Sequence, residues 1–450
     1  MSLRFGTDGI RGVANTELTP EVALALGRAA VDVLGGDLVV IGSDTRRSGP
    51  MLEAALSAGV CAAGADVESL GVVPTPAVAW AAADRGAIGA VISASHNPFA
   101  DNGIKLFAPG GLKLRDDAEQ SIEARYLALL DGAAGNAAGD ADRDGSPVGT
   151  RRPSAGVDGW LDLVVGSVTG RALAGMRLVI DCANGAATDL GPEPFRRLGA
   201  DVTVIGDKPD GTNINDGVGS TDTAALQAAV VEVGASAGLA FDGDADRLIA
   251  IDERGRIVDG DRVLAILAAD WSATGRLRSD TVVVTVMTNL GFHRAMGERG
   301  ITVRSTAVGD RHVLAALDDH HLSLGGEQSG HVICRDLATT GDGILTGVQL
   351  LDVVARSGSP LSGLAEGIMT RVPQVLENVR LARREPDPGA AIAKEVAAVE
   401  AAFGDDGRVL VRPSGTEPLL RIMVEHLDAE TAEAACRRLV DAATDALGPA

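Results

Sequence analysis

The chain has 450 residues, more than one ordinary domain holds, and at about 100–150 residues per domain three or four units are expected. Its 46% hydrophobic and 23% charged residues fit a folded protein, while a net charge of −22 and 2% aromatics exclude a chain whose task is gripping nucleic acid by bulk charge or base stacking. Four scattered cysteines (Cys61, Cys182, Cys334 and Cys436) give neither a disulfide framework nor a zinc pattern, and no stretch reaches the roughly 18 apolar residues of a membrane helix. The N-terminus shows no apolar signal core, so a cytoplasmic protein is expected.

Short Val/Ile/Leu runs alternate with Ala-rich helical stretches, which predicts layered α/β domains with parallel or mixed sheets. A strand is predicted over 37–43, a helix over 49–63, and a buried strand ending at 90–93. The polar segment Ser93, Ser95, His96, Asn97, Pro98 follows that strand, where open α/β sheets place ligands, although an ordinary polar turn reads the same way. Lys105 follows shortly after, one of four lysines among 40 basic residues. A retained ammonium can exchange a proton where a guanidinium cannot. Residues 132–156, rich in Gly, Ala, Asp, Ser and Pro, predict a long surface loop or linker. Strands follow at 177–182, 201–205 and 281–286, with helices over 222–233 and 261–269, each opened by an Asp able to cap free amides. Beyond a polar turn at 383–389, a helix, two strands (408–412 and 419–424) and a last helix predict a small α+β unit.

Three further segments hold residues suited to chemistry. Asp242, Asp244 and Asp246 lie two residues apart between apolar runs and can converge on one side of an extended loop. Converged without a cation, carboxylates repel strongly, and hard oxygen ligands suit Mg²⁺ or Ca²⁺, although a solvated acidic turn has the same composition. An EF-hand fails because Arg247 stands where glycine is required and the flanks read as strands. Residues 325–331 set Glu327, Gln328 and Ser329 among glycines, a set suited to sugar hydroxyl or amino groups, and His331 reads as a proton carrier or as a bonded loop residue. Arg412, Ser414, Gly415, Thr416 and Arg421 form a candidate phosphate cradle. Arg11 lies in a glycine-rich turn near the start, and residues 44–48 add a polar loop at a strand end. The G-x-S-x-G match at 234–238 has a helix before it and a strand after it, the reverse of a nucleophile elbow.

Together these segments resemble the α-D-phosphohexomutase superfamily nearly end to end: FGTDGIRG at 5–12, SASHNP at 93–98, DNGIK at 101–105, DGDADR at 242–247, GGEQSGH at 325–331 and RPSGTEPLLR at 412–421. The opening and the GGEQSGH segment resemble its glucosamine branch. The resemblance implies three related α/β domains with mixed sheets plus a smaller C-terminal α+β domain around a central cleft, divided as 1–153, 154–254, 255–370 and 371–450. It implies interconversion of glucosamine 6-phosphate and glucosamine 1-phosphate, a step toward UDP-N-acetylglucosamine and cell-wall precursors. Ser95 would be the phosphoserine. One Mg²⁺ would be held by Ser95, Asp242, Asp244 and Asp246, and glucosamine 1,6-bisphosphate would be intermediate and activator. Lys105, Arg11, His96 and His331 would polarise the serine bridge or handle the hydroxyl proton. Glu327 and Ser329 would read the sugar, and Arg412, Ser414, Gly415, Thr416 and Arg421 its phosphate. The expected partners are sugar phosphates, not nucleic acid or membrane, with the chain a monomer or homodimer. The alternative is phosphomannomutase or phosphoglucomutase activity on the same scaffold; a noncatalytic sensor and a metal-dependent phosphatase are the rivals from other classes.

Overall fold

The computed structural model describes residues 3–6, 9–134, 148–381, 387–413 and 418–448. Four sheets follow one another along the chain. In the first, Leu38–Ser43 lies parallel to Asp66–Val72 on one side and to Ile88–Ile92 on the other, and Asp101–Ala108 runs antiparallel to Ile88–Ile92. Gly9–Val13 then pairs antiparallel with Asp101–Ala108. Ile88–Ile92 is buried throughout, as expected of a central strand covered by helices on both faces.

The second sheet repeats this plan. Arg177–Asp181 is parallel to Asp201–Ile205 and to Ala237–Phe241, and Leu248–Asp252 returns antiparallel. Its hairpin continues to Ile257–Val258, past residue 254. The third sheet has the same order: Thr281–Thr285 parallel to Thr302–Thr306 and Leu324–Gly326, then Val332–Cys334 antiparallel. The fourth is fully antiparallel, with Leu419–His426 between Gln374–Arg380 and Gly407–Pro413, backed by the helices Ala393–Phe403 and Ala429–Leu447. Mixed sheets and a smaller α+β tail thus match the sequence reading. An apolar core runs through the first three units, from Val40 and Phe107 through Trp160 and Phe241 to Phe292 and Leu351, while the tail has its own core around Ile422 and Leu439. Among the described residues no helix is long and apolar enough to cross a membrane.

Three local expectations need correction. The stretch 132–156 is not simply loop: the helix Asp116–Ala134 reaches into it, and Arg151–Pro153 adds a parallel edge strand to Asp66–Val72. Asp66 holds that strand by accepting from the Thr150 amide at 2.7 Å, a long-range bond that composition cannot signal. Residues 135–147 lie outside the described part. The second correction is the cap of the helix Gly260–Ala273, which is Asp259 accepting from the Arg262 amide at 3.1 Å. Asp261 instead points inward and accepts from the Asn289 amide at 2.9 Å. Likewise Thr223, not Asp222, is the N-cap of Ala224–Val233, and Asp222 only reaches the Ala224 amide at 3.3 Å.

Asn289 joins the third unit to the tail. Its amide nitrogen donates to Val372 O at 2.9 Å and to Glu425 Oε1 at 2.8 Å, and its amide oxygen accepts from the Val372 and Gly291 amides. Arg408 Nε donates to the other oxygen of the fully buried Glu425 at 2.5 Å. Asp261 sits in this seam, and burial pushes its carboxyl up to about 7 from 3.8. A raised carboxyl binds a proton more tightly when folded, so its contribution to stability shrinks as pH rises from about 3.8 to about 7. Asp261→Asn, which keeps an oxygen for the Asn289 amide, should therefore flatten the fall in stability over that range. Denaturant unfolding at a series of pH values checks this; an unchanged pH profile would show that Asp261 titrates normally.

Candidate active site

The connection between the third and fourth strands of each α/β unit carries one of the predicted segments. Ser95 lies between Ile88–Ile92 and Asp101–Ala108, the aspartates between Ala237–Phe241 and Leu248–Asp252, and residues 327–331 between Leu324–Gly326 and Val332–Cys334. Each of these connections leaves the end of the third strand of its unit, and the shared core brings the three units together.

Ser95 Oγ donates to Asp242 Oδ2 at 2.5 Å, across two units of the chain. Asp242, Asp244 and Asp246 are all but fully buried and present oxygens that lie within 4.8 Å of one another. Gly243 permits the approach: a Cβ there would stand 2.5 Å from Ser95 O. Thr75 Oγ1 donates to Asp244 Oδ2 at 2.7 Å, and the Arg247 amide donates to Asp242 Oδ1 at 3.1 Å. Lys105 Nζ is held between Asp246 at 3.2 Å and Asp244 at 3.4 Å.

At an effective dielectric of about 20, each pair of carboxylates this close repels by about 3.5 kcal/mol or more. Burial, followed by the charges of Asp246 and Asp244, holds the Asp242 carboxyl well above the usual range. Burial acts on Asp246 in the same sense, but Lys105, His331 and Arg247 outweigh it and hold that carboxyl well below the usual range. Asp244 Oδ1 is buried and accepts no hydrogen bond among the described residues. An orphaned oxygen on a cluster of hard anionic donors fits a divalent cation such as Mg²⁺ or Ca²⁺.

The histidines differ. His331 is buried, with Nδ1 3.6 Å from Asp246 and Nε2 3.4 Å from Asp310, and Arg247 bridges to it through the backbone. Lys113 pairs with the same Asp310. His96 Nδ1 lies 3.3 Å from Ser95 Oγ. Burial first, then the nearby Arg247 and Arg11, push the His96 ring down to about 4. Arg11, half-buried on Gly9–Val13, faces Gly103 two residues from Lys105.

Glu327 is half-buried and accepts from the Gly309 amide at 3.1 Å, whereas Ser329 is exposed. Arg412 and Arg421 form a second group: they stand opposite one another in register on the tail sheet. Burial and then Arg421 push the Arg412 guanidinium down. Arg421 Nε is buried without a hydrogen bond among the described residues, so the pair is suited to an anion. Ser414, Gly415 and Thr416 lie outside the described residues. The decoy serine, Ser236, offers its oxygen to the Arg177 amide at 3.4 Å, between the helix Ala224–Val233 and the strand Ala237–Phe241, where no elbow forms. Sequence reasoning missed Thr75 and Asp310 as members of the site, and saw Asp44 and Arg46 only as part of a polar loop. The placement of Asp44 and Arg46 at the end of a buried strand was the one available signal.

Residues 2–131, 159–255, 259–372 and 376–442 match, in order, the phosphoglucomutase/phosphomannomutase alpha/beta/alpha domains I, II and III and the C-terminal domain. The chain is 51% identical over 449 residues to a phosphoglucosamine mutase of Saccharopolyspora erythraea, covering 98% of this chain and 99% of that one. It is 53% identical over 437 residues to a phosphoglucosamine mutase of Symbiobacterium thermophilum, covering 95% and 96%. A phosphoglucomutase/phosphomannomutase family protein of Burkholderia thailandensis superposes with a TM-score of 0.81 at 27% identity, covering 100% of this chain and 99% of that one.

The His96 ring should be neutral at neutral pH. Followed by proton NMR and assigned against His96→Gln, it should titrate near pH 4. A midpoint near 6.5 would show that the ring is solvated and outside the reach of the two arginines.

Proposed function

This chain belongs to the phosphoglucomutase/phosphomannomutase family, and from that premise we propose that it interconverts glucosamine 6-phosphate and glucosamine 1-phosphate through a phosphorylated Ser95. The observation that carries this reading is the 2.5 Å contact between Ser95 Oγ and Asp242 at the centre of the buried aspartate cluster. The full-length likeness to phosphoglucosamine mutases supports the amino sugar over mannose or glucose. The same reading divides the chain at about residues 153, 254 and 370, one functional segment to each unit.

Asp242, Asp244 and Asp246, with an oxygen of the Ser95 phosphate, would hold Mg²⁺. When bound, it supplies positive charge against the negative charge on the transferring phosphoryl oxygens. The substrate's own phosphate is held by Arg412 and Arg421 with Ser414, Gly415 and Thr416. Glu327 and Ser329 pair with sugar hydroxyl and amino groups. The free sugar hydroxyl takes the phosphoryl group from Ser95 and gives glucosamine 1,6-bisphosphate, which turns over and returns its other phosphate to Ser95. The bisphosphate is therefore also the activator of enzyme that has lost its phosphate. Lys105, which pairs with Asp244 and Asp246, and Arg11, His96 and His331 would polarise the serine bridge or handle the hydroxyl proton. The net charge of −22 does not oppose an anionic substrate, because charges beyond about 8–10 Å are screened at physiological salt.

Ser95→Ala should abolish turnover while the far-UV circular dichroism stays unchanged; full activity in a folded variant would remove the phosphoserine from the mechanism. Arg421→Ala should raise KM by about tenfold or more, the worth of one charge-assisted contact, and leave kcat nearly intact. An unchanged KM would place the substrate phosphate elsewhere. The substrate itself is tested by kcat/KM for glucosamine, glucose and mannose 6-phosphates with Mg²⁺ and a trace of the matching bisphosphate. Preference for the amino sugar is expected, and preference for mannose or glucose would move the chain to the other activity of the scaffold.

A further inference from the structure

Ser95 has a φ of 51°, a left-handed conformation that costs a non-glycine residue about 1 kcal/mol or more. Such a conformation persists only where its surroundings impose it, and here one buried guanidinium does so. Arg46 is 1% exposed and uses all five of its N–H donors. Nε donates to Asp44 Oδ2 at 2.8 Å. Nη2 donates to Ser95 O at 2.9 Å and Asn97 O at 2.7 Å. Nη1 donates to Asp101 O at 3.0 Å and to Pro98 O. Asp44, 2% exposed, also accepts from Ser93 Oγ at 2.6 Å, and that oxygen accepts from the Ser95 amide at 2.9 Å. One ion pair thus grips the serine from both sides, its N–H through Ser93 and its C=O directly. Asn215 of the second unit adds donors to Ser95 O at 2.9 Å and Asn97 O at 3.2 Å.

We propose that Arg46 is the positioning residue of the phosphoryl-carrying loop: it converges four backbone carbonyls on a planar cation and so fixes where Ser95 Oγ points. Its described contacts within the loop are to backbone oxygens and not to Ser95 Oγ, so it acts through the loop. A planar fork with five donors matches five acceptors spread around it; an ammonium with three donors at one point cannot. Ser95 must present its oxygen identically with and without phosphate, and a loop displaced by about 1 Å costs on the order of 100-fold in rate. This inference rests on the mutase reading above.

The test compares wild type, Arg46→Lys and Ser93→Ala, each in the presence of Mg²⁺ and bisphosphate. Arg46→Lys should lower kcat by about 100-fold with KM for glucosamine 6-phosphate within about threefold of wild type. The phosphoserine signal in phosphorus NMR should broaden or split as the loop samples several positions. Ser93→Ala, which removes the acceptor of the Ser95 amide together with the hydroxyl that donates to Asp44, should lower kcat by about tenfold, again with little change in KM. Should Arg46→Lys not fold, Ser93→Ala decides alone. Wild-type kcat in either folded variant, or a loss expressed wholly in KM, would overturn the positioning role. A wild-type enzyme that turns over without phosphate on Ser95, read by mass spectrometry of the intact protein, would instead overturn the mutase reading itself.

Discussion

Three buried carboxylates lie within 4.8 Å of one another, one of them accepting from a serine hydroxyl, and the active site is arranged around the cost of putting them there. Unopposed, they would repel strongly and draw protons rather than act as anions. The protein meets part of that cost itself. Lys105 comes from the first unit, Arg247 from the aspartate hairpin of the second and His331 from the third, so each of the three α/β units supplies a cation or potential cation to the same cluster. The remaining imbalance, visible in the orphaned Asp244 oxygen, suits the cluster to a divalent ion.

That convergence follows from topology. Each α/β unit lays down the same four-strand order and turns from its third strand to its fourth at one sheet end. Three copies of this plan, joined by a common apolar core, place three hairpin ends face to face. Ser95, the three aspartates and residues 327–331 each sit on their own hairpin, while the packing that aligns them lies in strands and helices. The tail departs from this plan. Its antiparallel sheet has a separate core and touches the third unit through a compact polar seam of Asn289, Glu425 and Arg408. A seam made of a few buried hydrogen bonds is more easily reorganised than a continuous apolar core, which suits a unit that carries the facing arginines.

Much of this was legible in the sequence because the relevant residues are local. DGDADR places three carboxylates on alternate positions of a turn, SASHNP follows a buried strand, and RPSGTEP joins two strands, so spacing narrows what each loop can hold, and the family resemblance supplies the role. The alternation of apolar strands and Ala-rich helices likewise declares an α/β fold, since strand and helix periods are set by nearest neighbours. Cap positions were misread by one or two residues: Asp259 and Asp261 are chemically equivalent in sequence, and only packing decides which faces the helix amides and which is buried.

The tertiary structure alone decided which distant groups meet. Nothing local ties Ser95 to Asp242, 147 positions away, or Thr75 to Asp244, 169 positions away. Nor does sequence reveal that Arg46 lies beneath the serine loop with every donor used, because a polar strand-end loop reads the same whether it is solvated or buried. The edge strand Arg151–Pro153 was hidden for the same reason: its partner lies far back in the chain, and its composition is that of a linker. The sequence by itself determined the chemistry available to each loop, since that depends on residue type and spacing. The tertiary structure determined which loops share one site and which charges are buried together, because burial and proximity are properties of the folded chain as a whole.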